Sequence, residues 1–256
     1  AWHAPAGLPV RTNVTKKTLL LLALATFGCA EKMDSTDVRT SGIRAEFEVI
    51  SFLGDSNAKT QARAILYGGS DVIRLRGDDY LEVHADGETK RMDRDGGDDY
   101  LATFDIQAED TEFVFSLQRG DDDTDAPDSH VTLPPPFTVL GMENNGVVQE
   151  ENGQVRVPRG VDVVLTWKED DTDDDVNYGI GNGSDCLSAR TGSAGKNNGS
   201  VTIPASIFRA KAGQEDSVCG ATLYVELERK GERDAAFKSG TVRAKQRYWI
   251  NFVSTP

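Results

Sequence analysis

Histidine is the first residue type to test for chemistry, because Ser-His-Asp and Cys-His catalysis both need an imidazole beside a nucleophile. Outside residues 1–28 only His84 and His130 are available. No Gly-x-Ser-x-Gly elbow or His-Glu-x-x-His helix accompanies them. Both read as structural or solvent-facing, and no catalytic residue is assigned. Glycoside hydrolysis needs just two carboxylates at the right separation, and 42 acids are present. A hydrolase using paired carboxylates on glycans is therefore the alternative to a non-enzymatic chain.

The acids are clustered. Asp121, Asp122, Asp123, Asp125 and Asp128 form one run; Glu169, Asp170, Asp171, Asp173, Asp174 and Asp175 form a second; Asp93, Asp95, Asp98 and Asp99 form a third. Calcium takes six to eight oxygens, often from carboxylates on a loop. Asp121, Asp123 and Asp125, with Asp171, Asp173 and Asp175, are the candidate ligands for such an ion. None of the runs has the spacing of an EF-hand. The competing reading is solvated loops rich in turn-forming aspartate, and it is the one preferred.

The stretch from Lys16 to Glu31, KKTLLLLALATFGCAE, carries another kind of chemistry. Its uncharged run from Leu19 to Gly28 is about half the ~20 residues a membrane-spanning helix needs. A basic flank, a short apolar core and small residues before a boundary are the parts of a secretory signal peptide. The Thr26-Phe27-Gly28-Cys29 end resembles the lipobox of bacterial lipoproteins, which implies lipidation of Cys29 and loss of residues 1–28. Thr26 and Phe27 depart from the usual pattern. Residues 1–13 read as lying upstream of the true start, near Val14. Ala30 stands where many inner-membrane lipoproteins carry aspartate, so the resemblance implies the outer membrane, periplasmic or surface-facing. Several acyl chains hold a protein to a bilayer where one alone binds marginally.

With Cys29 assigned to lipid, Cys186 and Cys219 remain. An isolated pair in an exported chain reads as a disulfide, with a free-thiol nucleophile as the alternative.

Removing residues 1–28 takes away Arg11, Lys16 and Lys17 and no acid, which lowers the formal charge from −14 to −17. A chain this acidic, with no basic stripe, is unsuited to nucleic acid or to adsorption on anionic lipid.

The elements that would position these residues are strands. In IRAEFEVI, Ile43, Ala45, Phe47 and Val49 alternate with Arg44, Glu46 and Glu48, a period of two. Further strands are expected around Ala62–Tyr67, Asp71–Leu75, Tyr80–His84, Tyr100–Ile106 and Glu112–Leu117, separated by GDSN, YGGSD, RGDD, ADGE and DGGDD turns. NAKTQARAIL also suits a short helix. Later, Val161, Val163, Leu165 and Trp167 share a face, as do Cys219, Ala221, Leu223, Val225 and Leu227, and then Val242, Ala244, Tyr248, Ile250 and Phe252. Trp167 is in phase with its core. Trp249 is out of phase and beside Arg247, an outward position suited to a sugar or protein contact. Pro204 suggests one or two helical turns after SVTI.

Short strands and Gly-rich turns predict an all-β chain of two β-sandwiches. The expected partition is a leader (1–28), a lipidated tether (29–41), a first sandwich (42–119), an acidic linker (120–129) and a second sandwich (130–256). The segments GDDYLEV, DYLATF, TEFVFSLQR, APDSHVTLPPPF, VVLTW and QRYWINFVSTP resemble a family of uncharacterised proteobacterial lipoproteins with tandem immunoglobulin-like domains. That resemblance implies immunoglobulin-like sandwiches and assigns no activity. The expected function is a non-enzymatic binding or structural module of the cell envelope. It is moored to the membrane by lipid, meets a protein or glycan partner, and has no cofactor unless the acidic loops take calcium.

Overall fold

The computed structural model of the chain describes residues 32–53, 59–106, 110–120, 123–144, 149–151, 154–168, 172–181 and 184–256. Among these the regular elements are strands and short 3-10 turns, with no α-helix. The first ten strands are β1 (Lys32–Asp34), β2 (Ile43–Leu53), β3 (Thr60–Gly68), β4 (Asp71–Arg74), β5 (Tyr80–Ala85), β6 (Glu88–Arg91), β7 (Asp93–Arg94), β8 (Tyr100–Phe104), β9 (Glu112–Gln118) and β10 (Ala126–Thr132). They are followed by β11 (Val139–Asn144), β12 (Gln149–Glu151), β13 (Gln154–Pro158), β14 (Val163–Trp167), β15 (Asp175–Ile180), β16 (Thr191–Lys196), β17 (Ser200–Ile203), β18 (Cys219–Lys230) and β19 (Ser239–Thr255).

One large sheet dominates. Along it lie β1, β4, β3, β2, β19, β18, β15 and β16, in that order. A four-stranded sheet, β10-β9-β5-β6, packs on one part of it, and a three-stranded sheet, β11-β14-β17, on another. The period-two pattern explains the packing. In β2 the residues from Ile43 to Val49 alternate buried and half-buried, so one face is apolar and the other wet. Phe47 stacks on Phe115 across the first sandwich, ring centroids 4.7 Å apart; such a pair adds about 0.5–1.5 kcal/mol beyond its buried area. Trp167 is buried in the second core, as its phase predicts, and gives its indole N–H to Asn197 Oδ1 at 3.0 Å.

β19 joins the two cores. Its first part runs parallel to β2, from Ser239 opposite Arg44 to Tyr248 opposite Leu53. Its last part runs parallel to β13, from Phe252 opposite Val155 to Thr255 opposite Pro158. Val242 and Ala244 therefore belong to the first core and Phe252 to the second. The entry of β19 beside β2 depends on Gly240: its φ is +141°, and a Cβ there would stand 1.7 Å from the Ala45 carbonyl oxygen.

Three expected boundaries move. Residues 32–41 are part of the fold: β1 pairs in parallel with β4, and Ser35 and Thr40 are buried. The rest of the expected tether, and the leader, lie outside the described residues. The expected linker 120–129 contains the start of β10, which pairs antiparallel with β9 and puts Ala126 and Val131 into the first core, with Leu133 just beyond its end. The second sandwich does not own residues 130–256, because β10 and the first part of β19 serve the first core. A proline- and aspartate-rich stretch reads as a linker when its short apolar strand is too brief to register.

Elsewhere the local expectations meet small corrections. The NAKTQARAIL region supplies strand β3. After Pro204 comes a single 3-10 turn, Ala205–Phe208, with Pro204 at its N-cap. The ADGE turn is a two-residue hairpin in which Asp86 and Gly87 both have positive φ, the geometry that matches strand twist.

Candidate functional site

Cys29, Asp121 and Asp171 lie outside the described residues. Cys186 and Cys219 form a disulfide with Cα atoms 6.1 Å apart. It links the segment after β15 to the first residue of β18. Arg159 donates to Cys186 Sγ at 3.0 Å and to the carbonyl oxygens of Gln214 and Glu215, which pins the loop beside the disulfide.

The described aspartates of the expected calcium loops are engaged by the protein itself. Asp123 Oδ2 accepts hydrogen bonds from Thr40 N at 2.9 Å and Thr40 Oγ1 at 3.2 Å, and it lies 3.2 Å from Arg119 Nη1. Partial burial pushes its carboxyl up. The N–H groups of Thr124 and Thr40 and the Arg119 guanidinium outweigh that and hold it below its ordinary value. Asp125 Oδ1 accepts from Arg119 N at 2.7 Å. Asp173 offers its carbonyl oxygen to Lys196. Asp175 sits between Lys230 at 2.8 Å and Lys196 at 3.1 Å, and their hydrogen bonds hold its carboxyl below the usual range. Among the described residues no three His, Cys, Asp or Glu side chains form a cation group.

Arg119 organises the N-terminal segment. Its buried guanidinium lies 3.2 Å from Asp79 and donates to the carbonyl oxygens of Ser35 at 2.9 Å and Val38 at 3.2 Å. The adjoining recess of about 740 Å³, lined by Thr36, Asp37, Arg39 and Asp123, is polar, and its buried charges are already paired. His84 is exposed and shares a hydrogen bond with Thr89 Oγ1 at 2.9 Å, and His130 Nδ1 lies 3.2 Å from Asp128.

A different site emerges on the outer face of the large sheet. There β18 and β19 oppose each other in successive pairs away from the apolar cores, Thr222–Asn251, Tyr224–Trp249, Glu226–Arg247 and Glu228–Lys245, with Glu226 and Glu228 buried. Trp249 is 37% exposed, and its ring meets Tyr224 edge-to-face with centroids 5.4 Å apart. The Arg247 guanidinium lies 4.6 Å from the centre of the Tyr224 ring and 5.5 Å from that of Trp249. Its Nε donates to Glu226 Oε2 at 2.7 Å. Thr222 Oγ1 donates to Asn251 Oδ1 at 3.2 Å. Burial, then the neighbouring Glu226, pushes the Tyr224 phenol above its ordinary value.

Glycines make room beside these rings. A Cβ on Gly179 would stand 2.7 Å from Tyr224 Oη, and one on Gly181 would stand 3.3 Å from Trp249 Cζ3. From Arg247 the face continues as a charge ladder. Lys245 Nζ lies 2.7 Å from Glu48, 3.4 Å from Glu226 and 3.6 Å from Glu228. Burial draws its ammonium down, but the three glutamates outweigh it, so its pKa is raised. Farther along, Arg63 pairs with Asp99 at 2.7 Å, and the Arg44 guanidinium covers the Tyr67 ring at 3.9 Å.

The outward placement of Trp249 matches its phase in the sequence. Tyr224, Glu226, Lys245 and Arg247 carry the same signal, being out of phase with the apolar sets of β18 and β19. Their pairing across strands does not follow from either segment alone.

No protein-family model matches the chain, and no curated protein matches it. Among solved structures the chain is similar to the crystal structure of DIP-gamma IG1+IG2, with 8% identity, 80% of this chain and 97% of that chain covered, and a TM-score of 0.23. It is also similar to the Bacteroides ovatus mixed-linkage glucan utilization locus SGBP-B in complex with mixed-linkage heptasaccharide, with 11% identity, 94% and 68% coverage, and a TM-score of 0.18. Likenesses this weak carry no argument about what this chain does.

Proposed function

We propose that the chain is a lipid-anchored, non-enzymatic binding module of the bacterial outer membrane, built from two immunoglobulin-like sandwiches sharing one sheet. The anchor rests on the signal-like run Leu19–Gly28 and on Cys29 at its end, together with the resemblance to proteobacterial lipoproteins. The Cys186–Cys219 disulfide suits an oxidising compartment outside the cytoplasm. Among the described residues no helix is long and apolar enough to cross a membrane.

The observation that carries the binding role is the outward strip of β18 and β19. It sets an exposed tryptophan, a tyrosine and an arginine on a central strand pair held by long registers, whereas most binding residues ride on loops. A sheet face fixed in this way offers a pre-organised surface, which lowers the entropic cost of binding.

Crosslinking in intact cells, with recovery of the lipid-anchored form and mass spectrometry, tests both parts. The expected result is an acylated Cys29 at the mature N-terminus and a crosslinked partner whose yield falls with Trp249→Ala. An unmodified Cys29 with residues 1–28 still attached would overturn the anchor. A partner yield indifferent to Trp249→Ala would overturn the face.

A further inference from the structure

We infer that the strip around Trp249 takes an uncharged glycan, with a pyranose ring stacked on the indole. This rests on the reading that the outer face of β18 and β19 binds a ligand. Three observations select the ligand class.

The first is size. Among the described residues the exposed large apolar side chains are Leu140, Val218 and Trp249. Leu140 lies on the three-stranded sheet, and Val218 precedes β18. Trp249 is thus a single apolar platform. A stable protein partner needs about 800 Å² of surface per side with an apolar centre, which one indole does not provide. A sugar ring is the size of the platform, and its axial C–H bonds present positive edges to the negative face of an aromatic ring.

The second is charge. Arg247, beside the platform, pairs with Glu226 at 2.7 Å, and Glu226 also meets Lys245 at 3.4 Å. The chain as a whole carries −14. An anionic ligand would meet a paired arginine within a negative field. An uncharged ligand avoids that repulsion and needs no counter-charge.

The third is the polar rim. Asn251 uses its Oδ1 to accept from Thr222, and Arg247 binds Glu226 through Nε. The amide N–H₂ of Asn251 and the Nη1 of Arg247 are donors facing the same side of the sheet as the indole. Planar donors beside an aromatic floor suit ring hydroxyls, which both donate and accept.

Affinity electrophoresis of the protein through gels containing hydroxyethylcellulose, xylan, glucomannan, soluble starch, glycol chitin or polygalacturonate tests the inference. The expected result is retardation by at least one of the uncharged polysaccharides, with the apparent affinity reduced about tenfold or more in Trp249→Ala. Trp249→Phe, which keeps a ring, is expected to recover part of it. Unchanged melting of both variants separates lost contact from lost fold. Retardation by polygalacturonate alone, binding untouched by Trp249→Ala, or no retardation in any gel would overturn the inference. If the cellular crosslink still depends on Trp249 while no gel retards the protein, the binding face stands and the glycan falls.

Discussion

Arg229 grips Asp174 with a two-pronged fork, Nε to Oδ1 at 2.8 Å and Nη2 to Oδ2 at 3.0 Å, while its Nη1 donates to the Leu133 carbonyl oxygen at 3.2 Å. Leu133 belongs to the first core, and Asp174 leads into β15 of the second. One guanidinium therefore ties the two cores where β10 ends. Asp174 is nearly buried, so removing its partner leaves a charge without compensation. Arg229→Ala is expected to cost about 2–4 kcal/mol in denaturant unfolding. Arg229→Lys, which cannot make the fork, is expected to recover less than half of that.

Lys245 stands among Glu48, Glu226 and Glu228. Its raised pKa means its contribution is full below the ordinary value near 10.5 and is lost as pH rises through the higher folded value. Lys245→Met removes the cation that these three carboxylates share. Its melting temperature is expected to fall most at pH 7. The deficit should shrink toward pH 4, where glutamates ordinarily begin to protonate. An equal deficit at both pH values would contradict the ladder.

Acid has the opposite effect on Asp123 and Asp175, whose folded pKa values are depressed. Their stabilisation is present above the unfolded value near 3.9 and disappears as pH falls through the folded values. Asp123→Asn is expected to flatten the stability-versus-pH slope between about pH 2 and 5. Because Asp123 holds Thr40, the same variant should raise hydrogen exchange in residues 32–42 before the rest of the chain.

Gly240→Ala is expected to destabilise by more than about 3 kcal/mol, since its Cβ would collide with the Ala45 carbonyl oxygen. Gly213→Ala is the control. That glycine also has a positive φ, +80°, but open space around it, so the cost there should be about 1 kcal/mol. Similar losses for the two would remove the steric explanation.

Reducing the disulfide, or making the Cys186→Ser, Cys219→Ser double variant, opens a loop with a sequence separation of 33. The expected loss is about 3–4 kcal/mol in the chain-entropy model. Denaturation midpoints with and without reductant measure it. Residues 42–53 should keep their hydrogen-exchange protection, since the first core does not include either cysteine.

Strands with a clean alternation were readable from sequence because each side chain reports its own face. β2, β9, β14 and β18 carry that pattern, and so does the outward phase of Trp249. β16 was not readable: TGSAGK is small and mostly exposed at an edge of the large sheet, so no apolar period marks it. Which strand meets which is a non-local property. Nothing in RAEFEVISFL announces that it pairs with SGTVRAKQRY, and the sequential partition failed at that point. The aspartate runs were visible, but most of the donors that engage Asp123 and Asp175 lie on other elements. Arg119 adjoins the first run, whereas Thr40, Lys196 and Lys230 are distant.

Because β19 follows every other described strand, β2 has an open edge until the final seventeen-residue strand has been synthesised. A chain that emerges N-terminus first, from a ribosome or across a membrane, cannot finish its first core and then proceed to the second, since Phe47 must wait for Val242. Closure of the first core is thereby postponed until β19 has emerged, and the exposed edge of β2 is a template for pairing with another molecule during that interval. A ribosome stalled before residue 239 would hold a chain whose first core stays open to protease.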